Sequence, residues 1–171
     1  MCTLSWITHA TGYEAFFNRD ELLTRRLSTP PMQSVRTGVR YLAPLDGDHG
    51  GTWIVANERG VTLCVMNLYG AAVRDPGATA PELADVGSAD EVHSRLTSTD
   101  LSRYRGFTLI AFAPLGPHGV ACWDGATLTF DPLKSADRPL TSSAYDGPGA
   151  ARSRTEQLLR LTSNGRSIDG A

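Results

Sequence analysis

The sequence predicts a single α+β domain, and three observations carry that reading. Short runs rich in β-forming residues recur along the chain: Cys2 to Ile7, Tyr13 to Phe17, Thr52 to Ala56, Val61 to Asn67, Phe107 to Phe112, Gly119 to Trp123 and Ala126 to Phe130. Most of them are joined in pairs by turn signals at Thr11-Gly12, Asn57-Glu58-Arg59-Gly60 and Asp124-Gly125, the signature of antiparallel hairpins. Two stretches carry helical signals instead. Ser88-Ala89-Asp90-Glu91 is a capping box that opens a helix through Val92 and Leu96, and a second helix fits from Pro148 or Ala150 to Leu161.

The remaining stretches read as connections. Residues 24 to 50 hold Pro30-Pro31 and Asp46-Gly47-Asp48-His49-Gly50-Gly51 and are expected to be irregular. Residues 70 to 87 are small, with Pro and Gly, and are expected to form a lid-like loop. Pro139 to Ser143 reads as a further strand end bearing hydroxyls. The 171 residues form one unit, 1–171, without a repeat, and are long enough to bury a core.

Composition narrows the function classes. With 41% hydrophobic and 20% charged residues the chain is of globular type. A net charge of -2 offers no electrostatic footprint for nucleic acid. No apolar run reaches the length of a membrane span, and the start lacks the basic and apolar regions of a secretory signal. Cys2, Cys64 and Cys122 have neither metal-ligand spacing nor a disulfide framework, so no metal site is expected and a reducing cytoplasm is the expected compartment.

The chemistry-bearing stretch is the first one. Cys2 is small enough for an aminopeptidase to remove Met1, which would place a free α-amine and a thiol on one residue. Their ordinary pKa values, near ~8 and ~8.5, let the amine serve as base to its own thiol. The hairpin expected around residues 10–12 returns Asn18-Arg19-Asp20-Glu21 to the start of the first strand. There Arg19 is expected to favour the thiolate and Asp20 to orient the amine. Cys64, inside an apolar run, reads as core.

Met1-Cys2-Thr3, Asn18-Arg19-Asp20-Glu21, Gly50-Gly51-Thr52-Trp53 and Asn67-Leu68-Tyr69, in that order, resemble the NRDE family, which includes the TANGO2-like proteins. The chain also resembles the N-terminal-nucleophile cysteine hydrolases. Asn57 through Asn67 resembles their turn-and-strand block, Leu140-Thr141-Ser142-Ser143 their Leu-Thr-Asn-Ser block, and Arg152 in Ala150-Ala151-Arg152 their late arginine. The resemblance implies a compact αββα four-layer sandwich. It also implies catalytic roles for Cys2, Arg19, Asp20, Asn67 (an oxyanion donor) and Arg152, with Asn18, Glu21, Trp53, Tyr69 and Ser142 lining the substrate site. Ser142 departs from the hydrolase pattern, which has a second Asn there.

Two functions follow from the resemblance. One is an amidohydrolase, acyltransferase or thioesterase acting on a small acyl amide or thioester without a required cofactor. The other is non-covalent haem binding and trafficking, with an axial ligand from His9, His49, His118 or a Cys; a retained but catalytically silent fold is the third outcome. The partner is a small molecule or haem, and a homodimer is an open option. The hydrolase reading requires Met1 to leave. Intact-mass analysis after expression with active aminopeptidase is expected to give a chain that begins at Cys2, and retention of Met1 removes the self-base mechanism.

Overall fold

A computed structural model describes residues 2–21, 23–68, 79–134, 139–142 and 147–163. The first hairpin forms where the sequence places it, with strand β1 (Cys2–His9) antiparallel to β2 (Gly12–Arg19). Seven strands build a second, wholly antiparallel sheet in chain order: β3 (Met32–Arg36), β4 (Val39–Ala43), β5 (Ile54–Asn57), β6 (Thr62–Asn67), β7 (Phe107–Phe112), β8 (Gly119–Trp123) and β9 (Leu128–Pro132). A last short strand, β10 (Leu140–Ser142), returns to the other side of β1 and completes a three-stranded sheet. The helices are α1 (Thr79–Glu82), α2 (Ala89–Thr97) and α3 (Gly147–Ser163).

Strand alternation sorts the core into two slabs. Cys64 and Met66 on β6 and Ile110 and Phe112 on β7 turn toward the smaller sheet, where Leu4 and Trp6 of β1 meet them. Trp6 and Phe112 lie tilted at 5.9 Å between ring centroids, a geometry that aromatic quadrupoles favour. The intervening residues Leu63, Leu109 and Ala111 turn the other way and pack beneath Ala80, Leu83, Val92 and Leu96 of the helical side. Helix α3 packs on β10 and reaches Asp20 through Arg154, covering the outer face of the smaller sheet. The layers run α3, three strands, seven strands, α1 with α2. This is the αββα sandwich expected.

Three expectations change. Residues 24 to 50 are not wholly irregular, because β3 and β4 make a hairpin there. Every residue of β3 is exposed, so the strand lacks the half-buried alternation by which strands are read from sequence. Its turn, Thr37 at φ 44° and Gly38 at φ 82°, uses left-handed backbone at both positions. Residues 70 to 87 are not simply a lid-like loop: 69–78 lie outside the described residues, but α1 follows and Leu83, Ala84, Asp85 and Val86 are buried. The predicted Ala126–Phe130 strand runs two residues later, as Leu128–Pro132, because the Asp124 carboxylate accepts the Ala126 and Thr127 N–H groups and extends the turn.

The predicted capping box forms with a shift. The Ser88 hydroxyl accepts the Glu91 N–H at 3.1 Å, while the Glu91 carboxylate accepts the N–H of Gly87, one residue before the cap. Asn57 docks this region on the sheet, its amide donating to the Ala84 and Val86 carbonyls at 3.0 and 2.8 Å. Among the described residues no helix is long and apolar enough to cross a membrane.

Asp85 is the polar anchor of the helical side. Its side chain is 5% exposed, pairs with Arg36 at 3.3 Å, and accepts hydrogen bonds from Arg95 at 2.6 Å and from the Thr37 hydroxyl. Burial alone would raise its pKa, but these donors outweigh it and lower the carboxyl from 3.8 to about 2. A depressed folded-state pKa contributes stability that is present above the unfolded value and lost as pH falls through the folded one. Asp85→Asn is therefore expected to destabilise the protein by roughly 2–3 kcal/mol, less than a fully buried pair because both arginines touch water. Denaturant melts should also show the variant losing less stability than wild type between about pH 4 and pH 2.

Candidate active site

Register sets the site. In the three-stranded sheet Cys2 lies directly between Arg19 of β2 and Ser142 of β10. Directly paired residues project to the same face of an antiparallel sheet, so all three point toward the seven-stranded sheet. Cys2 is half-buried against the inter-sheet core of Leu4, Met66 and their neighbours. Ser142 is 8% exposed, and its hydroxyl accepts the Cys2 N–H at 3.2 Å. That nitrogen becomes the α-amine once Met1 is removed.

Arg19 is held on several sides. Its guanidinium lies over the Trp53 ring, 4.1 Å from the centroid. It donates to the Ser28 hydroxyl at 3.1 Å and to Asp46, and it pairs with the Glu21 carboxylate at 3.0 Å. Asp46 in turn accepts from Arg25 at 2.8 Å on both oxygens and from the backbone N–H groups of Asp48 and His49 at 3.0 Å. Arg25 also holds Glu21 at 2.7 Å and Asp48 at 3.1 Å. Burial would raise the Asp46 carboxyl, but Arg19 and the two N–H groups outweigh it and hold it below the ordinary carboxylate range.

This geometry corrects the expected electrostatics of the thiol. Burial pushes the Cys2 pKa up, and the N-terminal amine, the Ser142 hydroxyl and Arg19 recover only part of that rise. Glu21, close by, acts in the same direction as burial. The site thus holds a neutral thiol that needs a base, not a preformed thiolate.

The other expected residues separate. Asn18 pairs with Thr3 and projects from the opposite face of the sheet, as the alternation of β2 requires. Asp20 is half exposed and faces α3, where Arg154 approaches to 3.6 Å. Arg152 is exposed on α3, across the sheet from the thiol. Asn67 ends β6, exposed and on the opposite face of that strand from Met66; among the described residues no hydrogen bond joins it to Cys2. Tyr69 lies outside the described residues. Glu21 and Trp53 do come to the site, but as contacts of Arg19.

His118 accepts the Ala113 N–H on Nδ1 and packs its ring against Tyr13 and Phe112. His9 and His49 are exposed, and His9 approaches Glu14. Sequence reasoning missed Ser28, Arg25 and Asp46, which complete the clamp on Arg19. The one signal for them was Asp46 at the head of a Gly-rich loop.

No protein-family model matches the chain, and no curated protein matches it. Among solved structures it is similar to penicillin V acylase from Agrobacterium tumefaciens, with a TM-score of 0.56 at 12% identity. The fold is that of the N-terminal-nucleophile hydrolases. The likeness covers 95% of this chain, which spans 59% of the acylase chain. In that fold Cys2 stands at the start of a strand between two sheets, where a freed α-amine and its thiol would share one residue.

Native-state alkylation with peptide mapping checks the site. Cys64 is fully buried with its pKa driven far up by that burial, so it is expected to react only after unfolding. Cys2 in the chain that retains Met1 is expected to react natively, with a rate still climbing at pH 9.0 because its thiolate forms above the ordinary range. Native labelling of Cys64 ahead of Cys2 contradicts this arrangement.

Proposed function

We propose that this chain is an N-terminal cysteine amidohydrolase, or an acyltransferase or thioesterase of the same chemistry, acting on a small acyl amide or thioester. The observation that carries the reading is the row Arg19–Cys2–Ser142, with the Cys2 nitrogen hydrogen-bonded to Ser142. The NRDE and Gly-Gly-Thr-Trp motifs support it, since Arg19 and Trp53 meet beside that cysteine.

The mechanism follows from a half-buried neutral thiol with a base on its own backbone. The neutral α-amine removes the thiol proton as sulfur attacks the substrate carbonyl carbon. The Ser142 hydroxyl accepts one amine N–H, which holds the nitrogen while its lone pair serves the thiol. Collapse of the tetrahedral adduct breaks the C–N or C–S bond, and the ammonium returns its proton to the leaving group. An acyl thioester on Cys2 remains. The amine next deprotonates a water, or an acceptor amine or thiol, whose attack releases the acyl group and restores the thiol. Removing Met1 moves the positive amine onto Cys2 itself, so the thiol of the mature chain is expected to titrate lower than that of the longer one.

A panel of acyl amides and acyl thioesters tests the reading. Cys2→Ala is expected to abolish turnover while leaving the thermal unfolding midpoint close to wild type, because a half-exposed strand-end side chain contributes little packing. Cys2→Ser should keep a small residue of activity. Ser142→Ala is expected to lower kcat by about 10- to 100-fold, by analogy with the loss of a positioned polar group. Equal turnover by wild type and Cys2→Ala, or none by wild type on any member of the panel, overturns the proposal.

A further inference from the structure

Arg19 has a long side chain, and its backbone pairing with Cys2 does not by itself keep the guanidinium at the site. Rotamer entropy opposes any single position for an arginine side chain. Trp53 offers a face and Ser28 an edge, but neither carries charge. Glu21 carries charge, yet its side chain is 34% exposed and shared with Arg25. Asp46 differs on both counts, being charged and 11% exposed.

Asp46 is also held by groups other than Arg19. Two backbone N–H groups, of Asp48 and His49, fix one carboxylate oxygen, and Arg25 bridges both. The loop closes on itself through Asp46 N–H to the Gly51 carbonyl at 2.7 Å and Gly50 N–H to the Asp46 carbonyl at 2.9 Å. Gly47 packs so tightly that a Cβ would stand 2.4 Å from the Leu27 carbonyl oxygen, which ties the loop to the segment bearing Arg25 and Ser28. An anchor held in this way locates a flexible cation at little further entropic cost.

We propose that Asp46 is a positioning residue for the Cys2 site, acting through Arg19 to hold the guanidinium beside the thiol. The charged groups around the pair are Arg19 and Glu21 at the end of β2, Arg25, Asp46 and Asp48 from the two loops, and the N-terminal amine, with the Ser142 hydroxyl on β10. In that set Arg19 is the side-chain cation that favours the Cys2 thiolate. Losing its anchor therefore weakens the thiolate. The opposite role, a screen that merely neutralises Arg19, has the opposite sign.

Cys2 alkylation by iodoacetamide across pH reads the two apart, in the full chain and without any substrate. Asp46→Asn and Arg19→Ala are each expected to slow Cys2 at neutral pH by roughly 5- to 10-fold and to move the rate profile to higher pH. The double variant should be no slower than Arg19→Ala alone, since Asp46 acts through that side chain. Asp46→Glu keeps the charge but displaces it by a methylene; positioning predicts slower alkylation, whereas screening predicts the wild-type rate. A faster Asp46→Asn, an unchanged profile with only a lowered melting temperature, or independent effects in the double variant overturns the proposal. The inference rests on Cys2 as the reactive residue, not on hydrolysis, so a failure here leaves the turnover experiments to decide the proposed activity.

Discussion

The pairing of Cys2 with Arg19 at the open end of the β1–β2 hairpin is the constraint on which the rest depends. A slip of one residue would flip one strand relative to the other and carry Arg19 to the α3 side, where Asn18 now stands on the same face as Thr3. Register is held by burial farther along. Leu4 and Trp6 must face Met66, Ile110 and Phe112, and Tyr13 must reach the Gly60 carbonyl and the Thr62 hydroxyl at 2.7 and 2.8 Å. Those contacts at one end of the sandwich fix which side chains meet at the other. The site is thus a consequence of core packing.

Around the sulfur two opposed effects set the chemistry. Burial disfavours the thiolate, and the N-terminal amine, the Ser142 hydroxyl and Arg19 favour it. Desolvation wins. A neutral thiol beside a potential α-amine suits a mechanism in which base and nucleophile share a residue, and it leaves the sulfur less exposed to adventitious oxidation. Ser142 belongs to that economy. Where the hydrolase pattern has an amide, this chain has a hydroxyl bonded to the Cys2 nitrogen.

Much of the fold was legible because its central strands are short runs of apolar β-forming residues and its turns carry Asn, Asp and Gly. The β5–β6 and β8–β9 hairpins, the cap at Ser88 and the β1–β2 return all follow from local chemistry. The β3–β4 hairpin was not legible, since an edge strand exposed on both faces leaves no period in the sequence. The site was half legible. Motif words brought Cys2, Arg19 and Trp53 together, but a motif of consecutive residues on a strand cannot all face one way, and Asn18 and Asp20 turn from the thiol. Asp46 and Arg25 escaped because ion pairs between segments 21 to 27 residues apart have no periodicity to betray them.

The central claim, that Cys2 carries the acyl group, is tested most directly by trapping it. The mature chain, rapidly mixed with an activated acyl thioester and quenched in acid, would be analysed by intact mass and peptide mapping. The account predicts one acyl group, as a hydroxylamine-sensitive thioester on Cys2, absent from Cys2→Ala. Acylation confined to Cys122 or to other side chains, or a mature chain that never acquires the group, would contradict it.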